Sequence, residues 1–381
     1  MKKVSLLAPG PTPVPPSALL AMAQPLIHHR SSDFVELFGK VRAGLKKVFK
    51  TENDVLVYAS SGTGAMESSV ANLLCPGDKA IAIRGGKFGE RWTDLLEAYG
   101  CQPLNLDVEW GYPVDPGQVA DMLKKDSSIK AVYVQALETS TGVDHPIKEL
   151  AQVTAASNAV LVVDAVSALA AYDIPMDEWG IDVMVSGSQK ALMMPPGLAF
   201  VSYNEKASRL MEKSTLPKFY FSWAKEAKTQ STNKGAFTSP VPLFVGMLEV
   251  FRIIEEMGGL DKLVAETALN SKAFKAGVKA LGLSLYAKEN ASPALSAVEA
   301  PAGIDAQDVV GWLKNKYGIF IAGGQGKAKG KIFRVAHMGY INEFDTLQGL
   351  SAIEMALKGL GYDFEMGAGL AEAERVFGEA L

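Results

Sequence analysis

Lys190 lies in the stretch VSGSQKALMMPPG, Val185 to Gly197, with no other charged residue around it. A lysine held among small and apolar residues loses hydration, which disfavours its ammonium form and leaves an amine able to act as a nucleophile. A lysine snorkelling to water is the plainer alternative. Asp164 ends the apolar run LVVDAVSA. A carboxylate there must be paired, hydrogen-bonded or neutral, or else cap the next helix. YASSGTGAMESS places Ser60-Ser61-Gly62-Thr63-Gly64 where a strand gives way to a helix. Glycines let the backbone approach a ligand, and a helix N-terminus offers free N–H groups and a positive dipole end, which suits phosphate. The stretch is neither GxxxxGK[ST] nor GxGxxG, and a serine-capped tight turn would look the same. Glu138-Thr139-Ser140-Thr141 marks another strand end, explained equally by turn chemistry or by ligand binding. The glycine-rich AGGQGKAKGK (322–331) lacks phosphate-loop spacing and reads as a mobile surface loop.

Combined, a glycine-rich strand–helix turn, a strand-end aspartate and a semi-buried lysine suit a phosphorylated, electron-withdrawing aldehyde cofactor. The turn holds its phosphate, the aspartate keeps its ring nitrogen protonated, and the lysine forms a Schiff base with it.

These residues need a scaffold that brings strand ends together. The chain has 381 residues, 48% of them apolar, enough for a large unit plus a smaller one. The runs 55–60, 79–84, 131–137, 159–166, 182–188 and 198–203 read as strands. Most are continuously apolar, as strands buried on both faces of a parallel sheet are. Helical patterns at 64–74, 89–99, 116–125 and 145–157 separate them, after an amphipathic helix at 34–49. Asp115-Pro116 gives an N-cap with proline at the first helical position. The expected organisation is an α/β chain: an N-terminal arm (1–20), a large, mainly parallel-sheet domain (21–250) and a smaller α+β domain (251–381). One long helical stretch, 243–281, leads into the small domain. There, strand-like ALSAVEA, IFIAGG and KIFRVAHM interleave with helices at 306–316 and 344–360, before a terminal helix. In such sheets ligands sit beyond the carboxyl ends of the strands, where Ser61–Thr63, Thr139, Asp164 and Lys190 all fall.

Net charge is −4 with scattered basic residues, so no footprint for nucleic acid or an anionic membrane is expected. Two cysteines, Cys75 and Cys101, argue against a disulfide framework and for a reducing compartment. The apolar start Val4–Ala8 breaks at Pro9, too short for a signal peptide, and FGEAL carries no retention or import tripeptide. A soluble cytoplasmic protein with no metal site is the expectation.

Beyond these readings, the chain resembles fold-type I pyridoxal-phosphate enzymes, specifically class V aminotransferases of the alanine–glyoxylate and serine–glyoxylate (or serine–pyruvate) type. The resemblance runs from APGPTPVPP through SSGTGAMES, GGKFGERW, ETSTGV, VVDAVSAL and SGSQKALMMPPGLAFVS to IFRVAHMGY. It implies that Lys190 bonds pyridoxal 5′-phosphate and carries the proton, and that Asp164 pairs with the pyridinium nitrogen. Ser61, Gly62, Thr63 and Gln189 would hold the phosphate. Phe88 would stack on the ring, Val166 would pack on its other face, and Thr139 would bond near the phenolic oxygen. Arg334 would clamp the substrate carboxylate, and His28 would form a polar wall near the substrate.

The resemblance also implies a homodimer with shared sites. Relatives send a tyrosine and a threonine to the partner's phosphate. Here NKGAFTSPVP offers Thr238, but Gly235 or Phe237 stands where the tyrosine would be, with Asn233 or Lys234 as substitutes. The implied reaction moves an amino group from alanine or serine to glyoxylate or another short 2-oxo acid. Aspartate, an aminophosphonate or ureidoglycine is the alternative donor, with Arg30 or Arg91 available for a second acid group. Desulfuration would need a cysteine in the second half, and none occurs. A non-catalytic subunit is disfavoured by the presence of Lys190 and Arg334.

Overall fold

A computed structural model describes Lys3 to Ala380; Met1 and Lys2 of the arm and Leu381 of the terminal segment lie outside the described residues. Seven strands form the large sheet: β1 (Val55–Ser60), β2 (Lys79–Arg84), β3 (Gln102–Asp107), β4 (Ala131–Gln135), β5 (Val160–Asp164), β6 (Val183–Gly187) and β7 (Gly197–Tyr203). Their order is β1-β7-β6-β5-β4-β2-β3. The pairs β6–β5, β5–β4, β4–β2 and β2–β3 are parallel, while β7 runs antiparallel to both β1 and β6.

Every residue of β4, β5 and β6 is buried, which is why these strands read as unbroken apolar runs. β3 was not legible in the sequence. It is an edge strand of polar composition, QPLNLD, with no fully buried residue. The expected helices are present at Ser32–Phe49, Gly62–Leu73, Lys87–Ala98, Pro116–Lys125 and Ile147–Ala155. Asp115 caps its helix, its side chain accepting from the Gly117 N–H at 2.8 Å.

The stretch 243–281 is two helices, Val241–Glu256 and Leu260–Ala280. Gly258 and Gly259 adopt φ of +110° and +93°, a left-handed turn that an α-helix cannot contain. Side chains as far as Leu263 pack with the large domain, and those from Ala273 onward pack with the small one. The small domain carries β8 (Leu295–Glu299), β9 (Ala322–Gly323) and β10 (Ile332–Ala336) in antiparallel order β8-β10-β9. IFIAGG is split: Ile319–Phe320 pairs in parallel with Ser5–Leu6 of the arm, and β9 pairs with β10. The segment 322–331, expected to be a mobile surface loop, therefore begins in a sheet and buries Ala328.

The arm threads between the domains. Leu7 donates its N–H to the Phe320 carbonyl and accepts from the Ala336 N–H, both at 2.8 Å, and it sits in the small-domain core. Thr12 donates its N–H to the Gln189 carbonyl at 3.2 Å, and Ala18 is buried in the large core.

Candidate active site

Sheet register assembles the site. Asp164 pairs with Gln135 on one side and Val185 on the other, while Ser60 and Gly187 lie opposite Gly197 and Ala199 of β7. The ends of β1, β4, β5 and β6 thus share one edge, and the turns leaving them enclose a cleft of about 470 Å³ open to solvent. Its lining includes Ser61, Gly62, Thr63, Phe88, Thr139, Asp164, Val166, Gln189 and Lys190, nine of the sequence-predicted residues. Met66, Arg91, Leu137 and Ser167 complete it.

Lys190 is only 9% exposed. Burial is the main cause that lowers its pKa to about 8, the charge of Arg334 and then Arg91 adding to this while Asp164 opposes it. Its Nζ donates to the carbonyl oxygen of Pro9. Asp164 is 6% exposed, and burial raises its carboxyl to about 6, against the Val166 N–H that donates to its Oδ1 at 2.8 Å. Such a carboxyl gains most from a cationic partner.

The turn after β1 is shaped by what it lacks. A Cβ on Gly62 would lie 2.5 Å from Val166 Cγ2. Ser61, at the N-cap of the Gly62–Leu73 helix, makes no side-chain cap hydrogen bond, so the first-turn N–H groups are uncapped by it. A Cβ on Gly187 would lie 2.8 Å from Gln189 Oε1 and 3.2 Å from the Gly62 nitrogen. Gln189 Oε1 itself is buried with no partner among the described residues.

Phe88 is held from both sides, its carbonyl accepting from Gln135 Nε2 at 2.6 Å and its N–H donating to Glu138 Oε1 at 3.3 Å. Glu138 is fully buried and also accepts from the Gly89 N–H (2.8 Å) and from the Ser140 N–H (3.1 Å) and hydroxyl (2.5 Å). Burial raises its pKa, and those donors act against the rise. From sequence it was one member of an ambiguous turn; here it fastens the Phe88 turn to the strand end that bears Thr139. Arg91 sits 4.9 Å from the centre of the Phe88 ring and donates to Thr63 Oγ1 at 3.0 Å. Thr139 donates its hydroxyl to Ser167 Oγ at 2.7 Å.

Arg334 reaches the same region from β10. Its Nη1 donates to the Thr139 carbonyl at 2.9 Å, and its Nε and Nη2 donate to the Gly323 carbonyl at 3.0 and 2.8 Å. It is 5% exposed, and burial lowers its pKa to about 10.

Three predicted residues lie outside the lining of the cleft: Arg334, which borders it through Thr139, and two that are remote from it. His28 is exposed, its Nδ1 accepting from the Arg30 N–H at 3.3 Å. Thr238 is exposed on a separate depression lined by Tyr58, Tyr220, Glu226 and Phe237. Phe237 stacks on Tyr220 with ring centres 4.9 Å apart, and a Cβ on Gly235 would lie 2.6 Å from Ser239 Oγ. Asn233 is occupied within the chain, its Oδ1 accepting from Arg42 Nη1 at 3.0 Å, whereas Lys234 is exposed. Among the described residues, no group of three or more His, Cys, Asp or Glu could hold a metal ion, and no helix is long and apolar enough to cross a membrane.

Comparison with known proteins places this geometry in a family. The soluble hydrogenase small subunit of Synechococcus sp. (strain PCC 6716) is 41% identical over 99% of both chains. The L-aspartate–glyoxylate aminotransferase of Paracoccus denitrificans is 35% identical over 97% of this chain and 95% of its own. The serine–glyoxylate aminotransferase of Methylorubrum extorquens is 34% identical over 97% and 94%. Among solved structures, the ureidoglycine–glyoxylate aminotransferase of Bacillus subtilis superposes with a TM-score of 0.94 at 28% identity, covering 99% of each chain. The family profile described as Aminotransferase class-V matches residues 6–342. The chain has the fold-type I aminotransferase fold, belongs to the class-V aminotransferase family and is a transaminase.

Proposed function

We propose that this transaminase uses pyridoxal 5′-phosphate to move the amino group of a small L-amino acid, alanine or serine, to glyoxylate or another short 2-oxo acid. The observation that carries the reading is the meeting of Lys190, Asp164 and the uncapped Gly62 turn in one cleft, with Arg334 at its edge. The cleft fits the cofactor. Gln189 Oε1 is buried without a partner among the described residues, a Cβ at Gly62 would crowd Val166 and one at Gly187 would crowd Gln189, and Asp164 is a buried carboxyl suited to a cationic ring nitrogen.

Ser61, Gly62, Thr63 and Gln189 would hold the phosphate at the helix N-terminus. Phe88 and Val166 would sandwich the ring, with Thr139 near its phenolic oxygen. Once bound, the cofactor supplies an electron sink that makes the substrate Cα–H bond acidic. Arg334 binds the substrate carboxylate, which a planar guanidinium does bidentately, and so fixes Cα near Lys190. Lys190 takes the Cα proton as a neutral amine and returns it, and its low pKa leaves a working fraction neutral near pH 8. Amino donor and 2-oxo acceptor use the same cleft in turn, so the kinetics are ping-pong.

The protein acts as a cytoplasmic homodimer. Thr238, exposed and absent from its own chain's cleft, would face the phosphate site of the second copy. Arg91 in the cleft favours a second reading, in which aspartate or another donor with a second acid group is used. That donor class appears in the name of the Paracoccus relative.

The test is the visible spectrum of the protein incubated with pyridoxal phosphate. L-alanine, L-serine, L-aspartate, ureidoglycine or an aminophosphonate is added in turn, then glyoxylate. A visible band bleached by alanine or serine and restored by glyoxylate is expected. Bleaching only by another donor would overturn the donor assignment, and absence of any band would overturn the cofactor.

A further inference from the structure

Pro9, Gly10 and Thr12 of the arm cross directly over Lys190. The carbonyl oxygen of Pro9 accepts from Lys190 Nζ. Gly10 follows with φ of +125°, and a Cβ there would lie 2.6 Å from Lys190 Cε and 2.7 Å from Cδ. Thr12 donates its hydroxyl to the Lys190 carbonyl at 2.7 Å, and its N–H donates to the carbonyl of Gln189. Arm and lysine loop are thus bonded to each other at three points. Gly339 closes the crossing from the small domain: a Cβ there would lie 3.2 Å from the Lys190 carbonyl oxygen and 3.3 Å from Thr12 Oγ1.

We propose that the Pro9–Gly10 backbone is the berth of the Lys190 amine whenever that amine is not covalently engaged, and that Gly10 lacks a side chain to leave it room. This rests on the transaminase reading, in which the lysine is freed in the first half-reaction and re-engaged at the end of the second. A free amine this buried has few acceptors. Arg334 and Arg91 repel its ammonium form, and Asp164 attracts it. A backbone carbonyl takes one N–H of the neutral amine and so turns its single lone pair to a fixed direction, which is what a base at the substrate Cα requires. Because a carbonyl accepts more strongly from an ammonium than from an amine, the berth also holds the lysine pKa higher than burial alone would. The arm is anchored beyond the lysine through Leu7 to Ala336, at the end of the strand that bears Arg334. Berth and carboxylate clamp are therefore parts of one hydrogen-bonded frame.

Two measurements test this. First, a crystal structure of the wild-type protein with pyridoxamine 5′-phosphate should show Nζ about 3 Å from the Pro9 oxygen. Nζ directed to another acceptor overturns the proposal. Second, Gly10→Ala should keep stoichiometric cofactor, since it leaves Gly62, Thr63 and Asp164 untouched. It should slow both half-reactions by about tenfold or more in rapid mixing. The limb of the pH–rate profile that belongs to Lys190 should move to lower pH, because the acceptor stabilising the ammonium is displaced. A slowed variant with an unmoved limb would mean a structural role only and would overturn the proposal. Should Gly10→Ala not fold, Thr12→Val loosens the same crossing and should move the limb in the same direction with a few-fold slowing. Failure of the wild-type protein to bind the cofactor or exchange an amino group would instead defeat the transaminase reading, and it would be seen before any variant is made.

Discussion

Asp164, Gln189 and Lys190 stand at or just past the ends of adjacent buried strands, whereas Thr238 and His28 sit on exposed segments that touch no part of their own chain's cleft. Strand spacing and register leave the first group almost no freedom. Asp164 is locked opposite Gln135 and Val185, and all the neighbours of β5 end at the same edge. In the proposed homodimer the second group would depend on how two copies meet, information that a single chain holds only as a surface. The same sequence thus specifies a rigid floor by itself and, in this reading, a rim only through assembly.

The largest effect expected on that contrast comes from Lys190→Ala, which should lower kcat by on the order of 10⁴-fold or more in steady-state assays. A small loss would mean the floor is not the reaction centre. Next is Asp164→Asn, expected to cost roughly 10²-fold in kcat and to alter the pH dependence of stability. In the cofactor-free protein the Asp164 pKa is raised by burial to about 6. Between its unfolded value of about 3.9 and that figure, the folded state holds the extra proton, so this contribution to stability falls as pH rises through the window. Denaturant titrations of wild type and Asp164→Asn across pH 4 to 7 should therefore diverge. Arg334→Lys should raise KM for the amino acid about tenfold, with a smaller loss in kcat, because a point charge cannot make the bidentate contact.

Rim variants should do least. Thr238→Ala should weaken cofactor binding by only about fivefold, the worth of one hydrogen bond, and the effect should vanish when dilution separates the copies. His28→Ala should stay within about twofold in kcat/KM. A rim effect as large as a floor effect would erase the distinction.

The legibility of the sequence follows the same division. β4, β5 and β6 announced themselves because both faces are buried, leaving a largely apolar run that stops at or just before residues lining the cleft. β3 gave no such signal, since an edge strand needs no apolar face and QPLNLD alternates too weakly to read. The glycine pair 258–259, which breaks one expected helix into two, was present in the sequence, but the apolar periodicity on either side masked it. Lys190 and Asp164 were readable as chemistry from local context, because each is a charge where charge is costly. Glu138 was not, because its four donors come from the Phe88 turn and Ser140, and only the fold brings that turn against it. The Pro9–Lys190 contact joins residues 181 apart, beyond the reach of any local pattern.

The threading of the arm has a consequence for the order in which the protein is made. Leu7 is made long before its hydrogen-bond partners, Phe320 and Ala336. Domains that fold during synthesis do so from the N-terminus, so the large sheet can form before the anchor of Leu7 exists. A prematurely terminated chain ending before residue 320 would carry the floor complete but leave Leu7 without its partners, with Arg334 absent altogether. Arm, floor and Arg334 therefore come together only after residues 320 to 336 have been made.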